Sequence, residues 1–97
     1  MTFRVTHRYT RPNDSVPFFE TISQDAQAVV TEAENDGRIE SIDVQSDGNV
    51  RTVTLNYRDV DARESVRLAP AVISHTEARE AHNTENNIAV ETVEETV

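Results

Sequence analysis

Cysteine, lysine and tryptophan are absent from this 97-residue chain, glycine and leucine occur twice each, and proline three times. Each absence removes a class of protein. Without cysteine there is neither a disulfide framework nor a thiolate metal site. With only Gly37 and Gly48, no glycine-rich loop can cradle phosphates. No apolar run approaches the roughly 20 residues that a membrane span requires, and the first residues lack the apolar stretch of a secretory leader. Cations are scarce too. Nine arginines stand against 18 Asp and Glu, for a formal net charge of -9. Bulk charge therefore does not draw the chain to nucleic acid, whose phosphates need a basic surface. Neither direct nucleic-acid contact nor membrane insertion is expected.

What is present is valine, 13 times, threonine, 11 times, and alanine, nine times. An acidic excess without lysine and with few large aliphatics resembles the protein composition of salt-in halophiles. Concentrated salt strengthens apolar burial, so large aliphatic side chains become less necessary. It also screens carboxylate repulsion, with a Debye length of about 3 Å near 1 M. A GC-rich genome, in which arginine replaces lysine through codon bias, is the competing explanation.

Residues 2–10 alternate, with Phe3, Val5, His7 and Tyr9 on one face and Arg4, Thr6, Arg8 and Thr10 on the other, the period of a half-buried strand. Arg11-Pro12-Asn13-Asp14-Ser15 supplies turn chemistry. The apolar knot Val16-Pro17-Phe18-Phe19 follows, and Phe19, Ile22, Ala26, Val29 or Val30, and Ala33 then recur at helical spacing. Thr21 or Ser23 can cap that helix, and Asn35-Asp36-Gly37 can stop it. Ile39, Ile42 and Val44 predict a strand with a bulge near Ser41. Asp47-Gly48 predicts a type I′ hairpin turn into a strand over 50–58, with Val53, Leu55 and Tyr57 on one face. Asp61 and Glu64 read as the cap and first-turn acid of a further helix. Pro70 splits that helical region in two, the second part turning Val72, Ile73, Thr76 and Ala81 inward and breaking at 83–87. Ile88, Val90 and Thr92 form a last short strand.

The order β-α-β-β-α-β predicts an α+β fold, a single ferredoxin-like domain over 1–97 with an antiparallel sheet, helices on one face, and an acidic tail from about residue 91 to 97.

Several segments also carry a resemblance. Tyr9-Thr10-Arg11-Pro12-Asn13, Val16-Pro17-Phe18-Phe19, Ser46-Asp47-Gly48, and Arg79 followed by His82-Asn83-Thr84-Glu85-Asn86-Asn87-Ile88 resemble small uncharacterised proteins of tailed phages of marine bacteria. Those proteins have tyrosine in place of His82 and glycine in place of Asn87, and asparagine is the natural non-glycine occupant of a left-handed position. No activity or cofactor comes with the resemblance. Together with the composition it implies a virus of a halophile, hence a virion or host-cytoplasmic location at high salt.

The chemistry-bearing residues are few. His7 lies on the inward face of its strand, where a hydrogen-bonded core histidine is the plain alternative to a base. His75 and His82 are seven apart, too far for the i, i+4 ligand pair of a metal helix. No catalytic, cofactor or metal residues are assigned. The expectation that needs least is a non-catalytic virion assembly module that self-associates or docks on other virion proteins. Its interface candidates are Arg4, Arg8, Tyr9, Phe18, Phe19 and Tyr57, with arginine suited to bidentate carboxylate contacts. Phe18 and Phe19 are either core or exposed anchors. Two alternatives stay open. One, by analogy of fold alone, is a small dimeric α+β-barrel enzyme of monooxygenase type, with His7, Tyr9, Asn56 or Tyr57 lining its cavity. The other is an acidic nucleic-acid mimic that inhibits a host enzyme, its carboxylates gathered on one face.

Overall fold

The computed structural model describes residues 2–19 and 22–97. The chain runs β1 (Phe3–Thr10), α1 (Gln24–Asn35), β2 (Ile39–Asp47), β3 (Val50–Tyr57), α2 (Val60–Arg67), α3 (Pro70–Glu85) and β4 (Ala89–Thr96). The strands form one antiparallel sheet in the order β2-β3-β1-β4. This is the ferredoxin-like arrangement expected from the sequence, with the second helical region divided at Pro70.

Local signals explain most boundaries. The Ser23 side chain accepts a hydrogen bond from the Ala26 N–H and starts α1; Thr21 lies outside the described residues. α2 is capped by Asp59, whose side chain accepts from the Ala62 N–H, not by Asp61, which falls in the first turn. That N–H is the main cause holding the Asp59 carboxyl below its ordinary pKa. Pro70 opens α3 at a position where its missing N–H is harmless. α3 does not break at Asn83. It continues to Glu85 with Asn83 buried, and Asn87 then takes the left-handed conformation, φ 57°.

The β2–β3 turn also differs from expectation. Asp47 pairs with Val50, so Gly48 and Asn49 are the two central residues, and of these only Gly48 has positive φ, 59°. That is the type II′ pattern, which needs glycine at the first position alone. The register of β2 shifts between Ile39 and Ser41, where the bulge was expected.

The largest correction concerns the acidic end. Residues 91–97 are not a tail. β4 runs to Thr96 and pairs with β1 over its whole length, Phe3 with Thr96 through Thr10 with Ala89, and Thr2 and Val97 exchange backbone hydrogen bonds of 3.3 and 2.8 Å.

The core lies between the sheet and its helices. Val5, Ile39 and Tyr57 from the sheet meet Ala33, Ala62 and Val66 from the helices, with Phe3, Val29, Val30, Leu55 and Val72 packed around them. Three buried alanines (Ala26, Ala33, Ala62) bring helix backbone close, and Val5 is the largest fully buried side chain. The scarcity of leucine is thus matched by a thin core. On the helix side of edge strand β2, Ile42 and Val44 remain exposed.

Candidate functional site

Period-two alternation divides β1 between the two faces of the sheet. Phe3, Val5, His7 and Tyr9 point beneath the helices, while Arg4, Thr6, Arg8 and Thr10 point to the open face. Opposite His7 on β4 stands Thr92, whose Oγ1 lies 3.0 Å from His7 Nδ1. That contact fixes the ring in its plane, and Nε2 makes no hydrogen bond to any described residue.

Two guanidiniums bracket His7 along the strand. Arg63 of α2 stands over the Phe3 ring, 5.9 Å from its centroid, and Arg79 of α3 over the Tyr9 ring at 6.0 Å. The His7 ring stacks toward Tyr9, with centroids 6.0 Å apart. Arg63 is ion-paired with Glu94 of β4 and with Glu64. Arg79 has no ion pair or hydrogen bond among the described residues.

These neighbours set the protonation state. The pKa of His7 is lowered from 6.5 to about 4, first by burial, then by repulsion from Arg79 and Arg63, against a smaller opposing pull from Glu94. The ring is neutral at physiological pH. Burial raises the pKa of Tyr9 and of Tyr57, opposed by Arg79 at both and by Arg63 at Tyr57. Both phenols therefore stay protonated. Burial and Arg79 also lower His75. A neutral imidazole beside the Tyr9 ring and between two cations can take a proton, and the guanidiniums can stabilise the anion that results.

The sequence-level candidates separate cleanly. His7, Tyr9 and Tyr57 come together under the helices. Asn56 does not join them, since it lies on the open face between Arg4 Nε (2.8 Å) and Ser41 Oγ (2.9 Å). Tyr9 and Tyr57 are 8% and 7% exposed, so they are not available as interface residues. Phe18 is held within the chain, its ring between Arg11 and Arg51 at 4.8 and 4.6 Å. Phe19 packs between His75 and His82, each 5.5 Å away, and Pro17 O lies 2.9 Å from His82 Nε2. Arg4 and Arg8 do face outward. Arg4 has an intramolecular partner in Glu95 at 3.8 Å.

Arg63, Arg79, Thr92 and Glu94 were missed. For Arg79 the signal is helical phase, since it and Asn83 fall seven and eleven residues after Val72, on its stripe; for Thr92 and Glu94 it is period two along β4, which sets them opposite His7 and Val5. Concavities along α1 (Ile22, Gln27, Thr31 and neighbours) and at the hairpin end of the open face (Arg8, Gln45, Thr52) contain none of these groups.

No protein-family model matches the chain, and no curated protein matches it in sequence. Solved structures do. SnoaB, described as a cofactor-independent oxygenase from Streptomyces nogalater, superposes with a TM-score of 0.61 at 13% identity, over 99% of this chain and 92% of its own. A protein of Chloroflexus aurantiacus ascribed to the antibiotic biosynthesis monooxygenases gives 0.60 at 12% identity, over 100% and 93%. Another so ascribed, from Deinococcus radiodurans, gives 0.54 at 12%, over 97% and 91%. At these identities the likeness is one of fold. It nevertheless overturns two expectations from the sequence, that the chain is a virion structural component and that it is not an enzyme. These three structures are named as an oxygenase and two monooxygenases, which matches the barrel-enzyme alternative instead.

Proposed function

We propose that this chain is a small oxygenase acting on an electron-rich organic substrate with an acidic C–H or phenolic O–H, bound between the sheet and helices α2 and α3. The observation that carries this reading is His7: a neutral, half-buried imidazole whose Nε2 bonds none of the described residues, set between Arg63 and Arg79. His7 removes the substrate proton, and the guanidiniums stabilise the enolate or phenolate. Such an anion reduces dioxygen directly. For an activated methylene the balance is CH2 + O2 → C=O + H2O: carbon gives up four electrons, one oxygen atom enters the product and the other leaves as water. No external reductant enters. The names of the structures of like fold support the reaction class.

Copies of the chain pair through the open face of the sheet. Its columns run acidic and polar on β2 (Ser41, Asp43, Gln45), neutral on β3 (Asn56, Thr54, Thr52), basic on β1 (Arg4, Arg8) and acidic on β4 (Glu95, Glu91). A second copy crossing this face can set its carboxylates against the arginine column.

The test is oxygen uptake with anthrone and its hydroxylated derivatives. The wild-type chain is expected to accelerate quinone formation with one O2 consumed per product, and His7→Ala to lose most of the acceleration. No acceleration across the panel overturns the reading.

A further inference from the structure

The half-buried arginines follow one rule with one exception. Arg4 bonds Asn56 and Glu95. Arg11 bonds Asn49 and two carbonyls. Arg38 bonds Asp36 and Ser65, Arg51 bonds Ser46, and Arg63 bonds Glu64 and Glu94. Among the described residues, Arg79 alone of this group has only a ring beneath it. A guanidinium partly withdrawn from water without a partner is unfavourable. It is all the more unexpected in a chain with two acids for every arginine. The charged and titratable groups around it leave its charge unanswered. His7 and Tyr9 on β1, Tyr57 on β3 and His75 on α3 are neutral, and Glu94 on β4 is taken by Arg63 of α2.

We infer that Arg79 is the anchor for a carboxylate on the substrate, so that the site takes planar aromatic acids, their ring alongside Tyr9 and their acidic proton toward His7. The inference deepens the oxygenase reading of the same site, but it concerns binding and is read without turnover. A planar fork over an aromatic face suits an aryl carboxylate, since the guanidinium can stack on one ring and bond the carboxylate of another. Binding is coupled to protonation. An anion placed against Arg79 offsets the repulsion that, after burial, keeps His7 neutral, so ligand and proton each favour the other.

The experiment follows the His7 ring by NMR through pH titrations of the whole chain with 1-hydroxy-2-naphthoate, and with 1-naphthol as the uncharged probe. The naphthoate is expected to bind about tenfold to a hundredfold more tightly than the naphthol, the range for a charge-assisted contact, and to move the His7 titration upward from about 4. Arg79→Gln abolishes that preference while Arg79→Lys retains part of it, which separates loss of the anchor from loss of the fold. Arg58→Gln, which alters an exposed arginine just past the end of β3, leaves the preference intact. Equal affinity for the two probes, a preference that survives Arg79→Gln, or one that disappears with Arg58→Gln overturns the inference. Anion binding without oxygen uptake would leave the inference standing and remove the oxygenase reading; the reverse result removes only the inference.

Discussion

The two faces of the sheet use the same strand for opposite purposes. Within six residues of β1, Arg4, Thr6 and Arg8 face outward while Val5, His7 and Tyr9 face the helices. Outside, each cation has an acid opposite it in register, Arg4 with Glu95 and Arg8 with Glu91. Such solvated pairs contribute about 0–1 kcal/mol each. Inside, the charges are fewer and less screened, so they bear on chemistry: burial first, and then two guanidiniums, keep a histidine neutral well below its ordinary pKa. Charge that adds little on one face adds to burial on the other in setting a protonation state.

The sharpest way to break this comparison is to remove the inner base. His7→Ala is expected to lower kcat/KM about 10²- to 10⁴-fold with the fold retained by circular dichroism. In the wild-type chain kcat/KM holds level from pH 8 to about 5 and falls with a midpoint near 4, because the base must be neutral and its folded pKa is about 4. Stability carries the same sign. The unfolded chain takes up this proton near pH 6.5 and the folded chain only near 4, so the contribution is whole above 6.5 and is lost as pH falls through that window. An acid limb at 6.5 in either measurement would show that burial and the two arginines do not act on His7.

Next in size is packing. Tyr57→Ala empties a buried position in the core cluster and is expected to remove about 3 kcal/mol in urea unfolding. Thr54→Ala, three residues away on the open face, should stay within about 0.5 kcal/mol. Similar values at both positions would mean that the two faces are not energetically distinct.

What the sequence disclosed follows the same division. Alternation at 3–10, the bulge at Ser41 and the break at Pro70 rest on local rules, and the structure contains all three. The cap of α2 was misplaced because Asp59 and Asp61 are both good N-caps two residues apart, and only the position of Ala62 in the core decides between them. Residues 91–97 read as a tail because five of the strand's eight positions, Glu91, Thr92, Glu94, Glu95 and Thr96, lack hydrophobic character. Pairing along all of β1, with Arg4 and Arg63 meeting Glu95 and Glu94, supplies what hydrophobicity did not. The site was half legible. His7 is inward by period two alone, but its function depends on α2 and α3 arriving over the sheet, which no local rule fixes.

Salt separates the faces further. Net charge of -9 opposes compaction at low ionic strength. Raising KCl from 0.05 to 1 M is expected to stabilise the chain by on the order of 1 kcal/mol through screening of exposed carboxylates. The His7 titration, governed chiefly by burial, should move little over the same range. A midpoint in urea that ignores salt would remove the halophile reading of the composition.

The smallest effect on stability is expected at Arg8, yet it bears most directly on the outer face. Arg8 is exposed, so Arg8→Glu should alter monomer stability by no more than about 0.5 kcal/mol. In a face-to-face pair, however, the substitution places like charges against each other, where juxtaposition costs several kcal/mol. Sedimentation equilibrium should therefore find wild-type dimer and Arg8→Glu monomer, and only the wild type's melting temperature should rise with chain concentration. If the variant remains as associated as the wild type, the arginine column does not hold the pair, and the open face is a solvated surface balanced within one chain by Glu91 and Glu95.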